Sequence, residues 1–198
     1  MTRRNRHIGS ILPPIAAIAL SASPALAHVG VDAHGSFVTG FVHPIGGLDH
    51  LAAMIAVGLW AAIVGGQRVW IWPVAFVGAM VVGGLLGRAA IDLPLVEPMI
   101  AGSVMLLGLG IGALLKAPVA VGAVVIAAFG IFHGYAHGAE APAGDWFGYA
   151  AGFVIATGVL HAFGVGAGQF LKSDAGLNTA RVIGGATAVL GLVLFLIQ

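Results

Sequence analysis

The chain is predicted to be an all-α, polytopic membrane protein, with six transmembrane helices behind a cleavable signal peptide, and three observations carry that prediction. Apolar residues make up 60% of the sequence and charged ones only 8%, against about 25% charged in an ordinary soluble domain. Glycine supplies 32 of the 198 residues, about twice its usual share. In apolar helices glycine lets backbones come close where lipid offers no hydrophobic drive for association. After residue 27, long apolar runs recur six times, separated by short junctions that hold most of the charges.

Taken in order, residues 1–27 read as the signal peptide: Arg3, Arg4 and Arg6 form a positive start, residues 8–20 an apolar stretch, and Ala25-Leu26-Ala27 a small-x-small cleavage site. Cleavage leaves residues 28–198 as a single six-helix transmembrane domain beginning with His28. The helices are expected over residues 36–65, 70–88, 95–115, 118–137, 146–170 and 179–197, each long enough for a hydrocarbon core about 30 Å thick. The first is over-long, and Pro44, which lacks a helical donor and crowds the preceding turn, is expected to kink or split it. Trp60, Trp70, Trp72 and Trp146 sit near predicted helix ends, where interfacial aromatics belong.

Charge supports one orientation. With the mature N-terminus outside, Arg68, Lys116, Lys172 and Arg181 fall in cytoplasmic junctions, while Asp32, Asp92, Glu97, Glu140 and Asp145 fall outside. Arg88 and Asp174 are the exceptions, one on each side. The expected location is therefore a bacterial inner (plasma) membrane, crossed several times, with the lipid bilayer as the first partner.

Several function classes are excluded. A net charge of +1 without a basic stripe rules out a nucleic-acid footprint. No cysteine is present, so a metal site must draw on His, Asp, Glu, Met, backbone or water. No phosphate-cradling G-x-x-x-x-G-K-[ST] run occurs, and there is no soluble domain. Function has to be performed inside the bundle, and no catalytic cofactor is expected.

Two clusters carry the chemistry. In His43-Pro44-Ile45-Gly46-Gly47-Leu48-Asp49-His50, two imidazoles and a carboxylate lie inside an apolar run, where an Asp costs roughly 2.5 to 3.5 kcal/mol to insert. On a continuous helix His43 and His50 share a face, with Met54 one turn further. Gly46 and Gly47 add backbone freedom beside the expected break, as at ion sites in discontinuous transporter helices. In Phe132-His133-Gly134-Tyr135-Ala136-His137-Gly138-Ala139-Glu140, the i,i+4 histidines have the spacing by which a helix grips a metal, and Glu140 follows three residues on. Gly130, Gly134 and Gly138 make a smooth ridge beside them. The competing readings are structural: a buried polar contact for the first cluster, a packing stripe with incidental histidines for the second. Both clusters lie toward the outer half. Side-by-side packing would therefore pass an ion from His43, His137 and Glu140 to Asp49, His50 and His133. Secondary metal candidates are His28 with its free amine, His34, Met54, and His161 further along the fifth helix.

These motifs, His43-Pro44-x-x-Gly47-x-Asp49-His50 continuing to Met54-x-x-Val57-Gly58, and Phe132-His133-Gly134-Tyr135-Ala136-His137-Gly138-x-Glu140, resemble the HupE/UreJ family of hydrogenase and urease accessory proteins. The first is also similar to the shorter-spaced His-x4-Asp-His signature of the nickel/cobalt transporter family. The HupE/UreJ resemblance implies a nickel permease, with cobalt as the other cargo, feeding metallochaperones of a nickel enzyme. It implies His43, Asp49, His50, His133, His137 and Glu140 as the transport site. The alternative reading is an intramembrane His/Asp metallohydrolase, ceramidase-like. A haem bundle and a serine protease built on Ser103 are weaker rivals.

Metal must displace protons from imidazole. Nickel uptake is therefore expected to fall as external pH drops through about 6.5, and initial uptake rates at a series of pH values would check this; a flat profile would contradict it.

Overall fold

The computed structural model describes residues 36–66 and 68–198, and among them the chain forms seven α-helices and no strand. They are α1 (Ser36–Gly46), α2 (Leu48–Val64), α3 (Ile71–Arg88), α4 (Val96–Gly112), α5 (Val119–Glu140), α6 (Trp146–Phe170) and α7 (Asp174–Leu196). The expected signal peptide, His28 and His34 lie outside the described residues.

The all-helical class holds, and the apolar helices make this a membrane protein, but the helices differ from six equal spans. Helices α3, α5, α6 and α7 are long and apolar enough to cross a bilayer, and α1 with α2 makes a fifth candidate bent by 82°. Helix α4 has 17 residues, about 26 Å at 1.5 Å per residue, short of the expected 95–115. Its C-terminus explains why. Leu114 is left-handed (φ 50°), and the Leu114 and Leu115 amides donate to the Ile111 and Gly110 carbonyls, both at 2.9 Å. That is a Schellman closure, which ends the helix on the residues expected to extend it.

The first expected helix does split, but at Gly47 and not at Pro44. Proline deletes one donor from α1, yet the hydrogen-bond ladder ends only where Gly47 turns extended (φ −102°, ψ 123°). The chain therefore changes direction between the two histidines of the first motif. At the other end of the chain, Ser173 Oγ accepts from the Gly176 amide at 3.2 Å and starts α7 five residues earlier than the expected 179. Arg181 consequently lies within α7 and not in a junction.

Glycines set the packing. A Cβ on Gly83, Gly87 or Gly134 would collide with the carbonyl of Ile131, Tyr135 or Met80, so α3 and α5 run parallel with backbones in contact. Helices α4 and α7 are antiparallel through Gly108, Gly184 and Gly191. Helix α6 serves both halves of the bent pair: Gly40 abuts the Tyr149 carbonyl, Gly152 that of Phe37, and Gly164 that of Ile55.

Two of the four tryptophans depart from the interfacial role. Trp60 and Trp72 are buried, lie 5.0 Å apart, and donate their indole N–H to the Leu115 and Val119 carbonyls, both at 2.9 Å. They clamp the α4–α5 turn from inside, and Gly110 and Gly122 leave room for their rings.

This packing makes a differential prediction. Gly134→Ala forces α3 and α5 apart and is expected to destabilise by about 1 to 3 kcal/mol, whereas Gly78→Ala, with nothing within 4 Å of the added Cβ, is neutral or stabilising. Thermal unfolding in detergent measures both, and equal midpoints would contradict the close helix contact.

Candidate metal centre

Helices α1, α2 and α5 converge on a compact group of imidazoles. Because the glycine ridge of α5 is consumed against α3, His133 and His137, one position round the helix, are left facing the bent pair. The His137 ring lies 4.7 Å from the His43 ring and 4.1 Å from the His50 ring, and His50 lies 4.8 Å from His133. Ligand atoms of His43, His137 and Glu140 all fall within 4.8 Å of one another, with His43 Nε2 3.5 Å from Glu140 Oε2. The 82° bend is what lets His43 and His50, from different helices, approach His137 from two sides.

Exposure falls in a consistent direction. The Glu140 side chain is 60% exposed and His43 23%; His137 is 4% and His133 0%. The His50 side chain falls between at 11%, beside Asp49 at 25%, so the cluster has a carboxylate at its most exposed end and its driest imidazoles at His137 and His133.

The hydrogen bonds decide which nitrogens carry protons. His50 Nδ1 is 2.7 Å from Asp49 Oδ1, and because an ionised carboxylate only accepts, Nδ1–H donates and Nε2 keeps its lone pair. Asp49 Oδ1 also accepts the His50 amide at 2.7 Å, so the carboxylate sits in the first turn of α2, where the helix dipole favours a negative charge. Gly47 leaves room there: a Cβ on it would lie 2.8 Å from the same Asp49 oxygen, which would have to shift. At His133, the Ser103 hydroxyl is already donated to the Ile100 carbonyl at 2.6 Å. The 2.9 Å contact from His133 Nε2 to Ser103 Oγ must therefore be an Nε2–H donation, which leaves Nδ1 bare.

Among the described residues, five imidazole nitrogens are buried without a hydrogen-bond partner: His50 Nε2, His133 Nδ1, both nitrogens of His137, and His161 Nε2. Leaving buried polar atoms unpaired costs about 1 to 3 kcal/mol each. Divalent-cation coordination is chemistry that would use these lone pairs, and a hydrogen bond from the other ring nitrogen to a carboxylate, hydroxyl or carbonyl is how ligating histidines are oriented.

The remaining candidates are placed differently. Met54 is wholly buried on α2, one turn past His50, and His161 shares with His133 a contact to the Phe76 ring. Four contributors escaped the sequence motifs because they arrive from other helices. Ser103 orients His133. Tyr149, whose buried hydroxyl has no partner, lies 5.7 Å from His43. Phe153 stacks 4.0 Å from His137. Glu97, counted in the sequence only as an outer charge, opens α4 within electrostatic reach of Asp49, His50 and Glu140.

A cavity of about 300 Å³ between α3, α5 and α6 borders the cluster. Among the described residues, His137 and Tyr149 are the titratable groups on its wall, which is otherwise formed by residues such as Met80, Leu85, Trp146 and Phe153.

Comparison with known proteins bears on this arrangement. The family model described as HupE / UreJ protein matches residues 16–194. Protein HupE of Rhizobium leguminosarum bv. viciae is 46% identical over 185 residues, which cover 93% of this chain and 96% of that protein. No solved structure matches.

The tautomers are open to direct measurement. Nitrogen-15 NMR of histidine-labelled protein at neutral pH is expected to show Nε2–H for His133 and Nδ1–H for His50, and Ser103→Ala should abolish the preference at His133 while leaving His50 as it was. The opposite tautomer at His133 would contradict the geometry.

Proposed function

Because the chain belongs to the HupE/UreJ family, we propose that it is a permease for a divalent transition-metal ion, Ni2+ before Co2+, carrying it into the cytoplasm through the His/Asp/Glu cluster. The observation that carries this reading is the row of buried imidazole nitrogens with bare lone pairs, graded from an exposed carboxylate inward. Imidazole suits Ni, Cu, Zn and Fe alike, and affinity alone follows the Irving–Williams order. The choice of nickel rests on the family.

Glu140 and His43 are the capture groups, since they are the most exposed and their charge and lone pairs attract a hydrated dication. His137 has both nitrogens free and lies between His43 and His50, so it takes the ion from the first and presents it to the second. His50 and His133 then hold it, oriented by Asp49 and Ser103. Each station offers few protein ligands, and weak successive binding is what permits release as well as capture. Asp49, hydrogen-bonded to His50, also offsets part of the dication charge.

The helix directions agree with a six-pass chain, α1 and α2 forming the first pass and the short α4 the third, and the charge asymmetry of the junctions is the ground for putting the mature N-terminus outside. Parallel α3 and α5, and antiparallel α4 and α7, are the pairings such alternation requires. In this reading residues 1–27 are the cleaved signal peptide, the membrane is the bacterial inner membrane, and the recipient is a metallochaperone of a nickel enzyme. The hydrolase alternative is disfavoured by the neighbouring cavity: among the described residues no carboxylate stands on its wall to act with a metal-bound water.

Radiolabelled nickel uptake into proteoliposomes tests the proposal. His50→Ala and His133→Ala are expected to reduce flux at least about tenfold, and Asp49→Asn to lower nickel affinity about 10- to 100-fold. Equal flux in the natural protein and both alanine variants at matched reconstitution would refute it.

A further inference from the structure

The buried imidazoles continue beyond His133. His161, on α6, is 1% exposed, and its Nδ1 lies 2.7 Å from the Thr157 carbonyl. A carbonyl only accepts, so Nδ1–H donates and Nε2 is left with a free lone pair and no partner. The orientation is the same as at His50 and His133: one nitrogen tied down by its proton, the other bare. Position matters too. His161 lies about 22 Å along α6 from Trp146 at 1.5 Å per residue, well past the middle of a hydrocarbon core about 30 Å thick.

One side chain packs against both His133 and His161. The Phe76 ring, supplied by α3 and wholly buried, is tilted against both imidazoles, with centroids 5.4 Å from His133 and 5.1 Å from His161. The Phe76 side chain has no polar atom, so the two buried histidines share an apolar neighbour. Hydrophobic constrictions close a pathway to water, while the face of an aromatic ring still attracts a cation. The polar groups beside His161 are otherwise engaged: the Thr157 hydroxyl donates to the Met80 sulfur at 3.7 Å and the Thr157 carbonyl accepts from His161.

Resting on the permease reading, we propose that His161 Nε2 is the ligand that receives the ion from His133 past Phe76, whose ring turns aside for the transfer. A histidine present only for packing would have its second nitrogen matched by a donor, or would be replaced without cost by an apolar side chain of similar volume. Here the lone pair is kept dry and unmatched, beside the same aromatic ring that packs on the upstream ligand. The pathway then has two compartments, an outer one that captures and an inner one that releases, and Phe76 prevents a continuous water file between them.

The test separates ligand from strut. Asparagine at this position places an amide N–H near where Nδ1–H stood, so His161→Asn keeps the donation to Thr157 but removes the imidazole lone pair. Nickel binding to the detergent-solubilised full chain and radiolabelled nickel flux into proteoliposomes are measured for the natural protein, His161→Ala, His161→Asn and His133→Ala. Both His161 variants are expected to bind nickel within about twofold of the natural protein, because the outer compartment is intact, and to lose flux at least about tenfold. Restoration of flux in His161→Asn but not in His161→Ala would show a structural role and overturn the inference. If His133→Ala stops transport while both His161 variants carry nickel normally, the inner ligand alone is refuted; if His133→Ala also carries nickel normally, the permease reading falls with it.

Discussion

In hydrocarbon, helices gain no hydrophobic free energy by touching one another, so this bundle depends on backbones pressed together at glycine. The α3–α5 pair shows the consequence. Gly83, Gly87, Gly134 and Gly138 put main chain directly against main chain, and that contact fixes the rotation of α5 about its axis. Once the ridge is committed to α3, the i,i+4 histidines have one direction left to face. Helix α6 plays the equivalent part for the bent pair, since Gly40, Gly152 and Gly164 seat α1 and α2 on it and thereby bring His43 and His50 to His137.

Within the frame so formed, hydrogen bonding does the finer work. A neutral imidazole is donor at one nitrogen and acceptor at the other, and a carboxylate at His50, an already committed hydroxyl at His133 and a main-chain carbonyl at His161 each claim the proton. The same low dielectric that makes unpaired nitrogens costly makes this orientation firm. His137 is the exception, with neither nitrogen tied, which suits a ring placed between two groups of ligands.

Much of the helix layout was legible because apolar run length and junction chemistry are local properties. The Trp146 start and Phe170 end of α6 follow from the sequence without any knowledge of neighbours. Misreadings came where a tertiary contact or a single dihedral outweighed the local pattern. Pro44 is the stronger helix breaker by composition, yet the turn lies at Gly47, whose small size makes room for Asp49. Leu114 adopts a left-handed cap that usually selects glycine, and shortens α4. Trp60 and Trp72, amphipathic and near helix ends, are drawn inward because the α4–α5 turn offers carbonyls to their indoles.

By itself, then, the sequence determined that the chain is helical, apolar enough for a bilayer, and equipped with two clusters of imidazole and carboxylate at similar depth, because those properties reside in composition and in spacing along one helix. Tertiary structure alone decided that an 82° bend within the first cluster brings its two histidines to the second, that Ser103 sets the tautomer of His133, and that Phe76 packs against both His133 and His161. Each of those depends on side chains from helices distant in sequence meeting at one point. No periodicity encodes the rotation of one helix against another until glycine contacts set it.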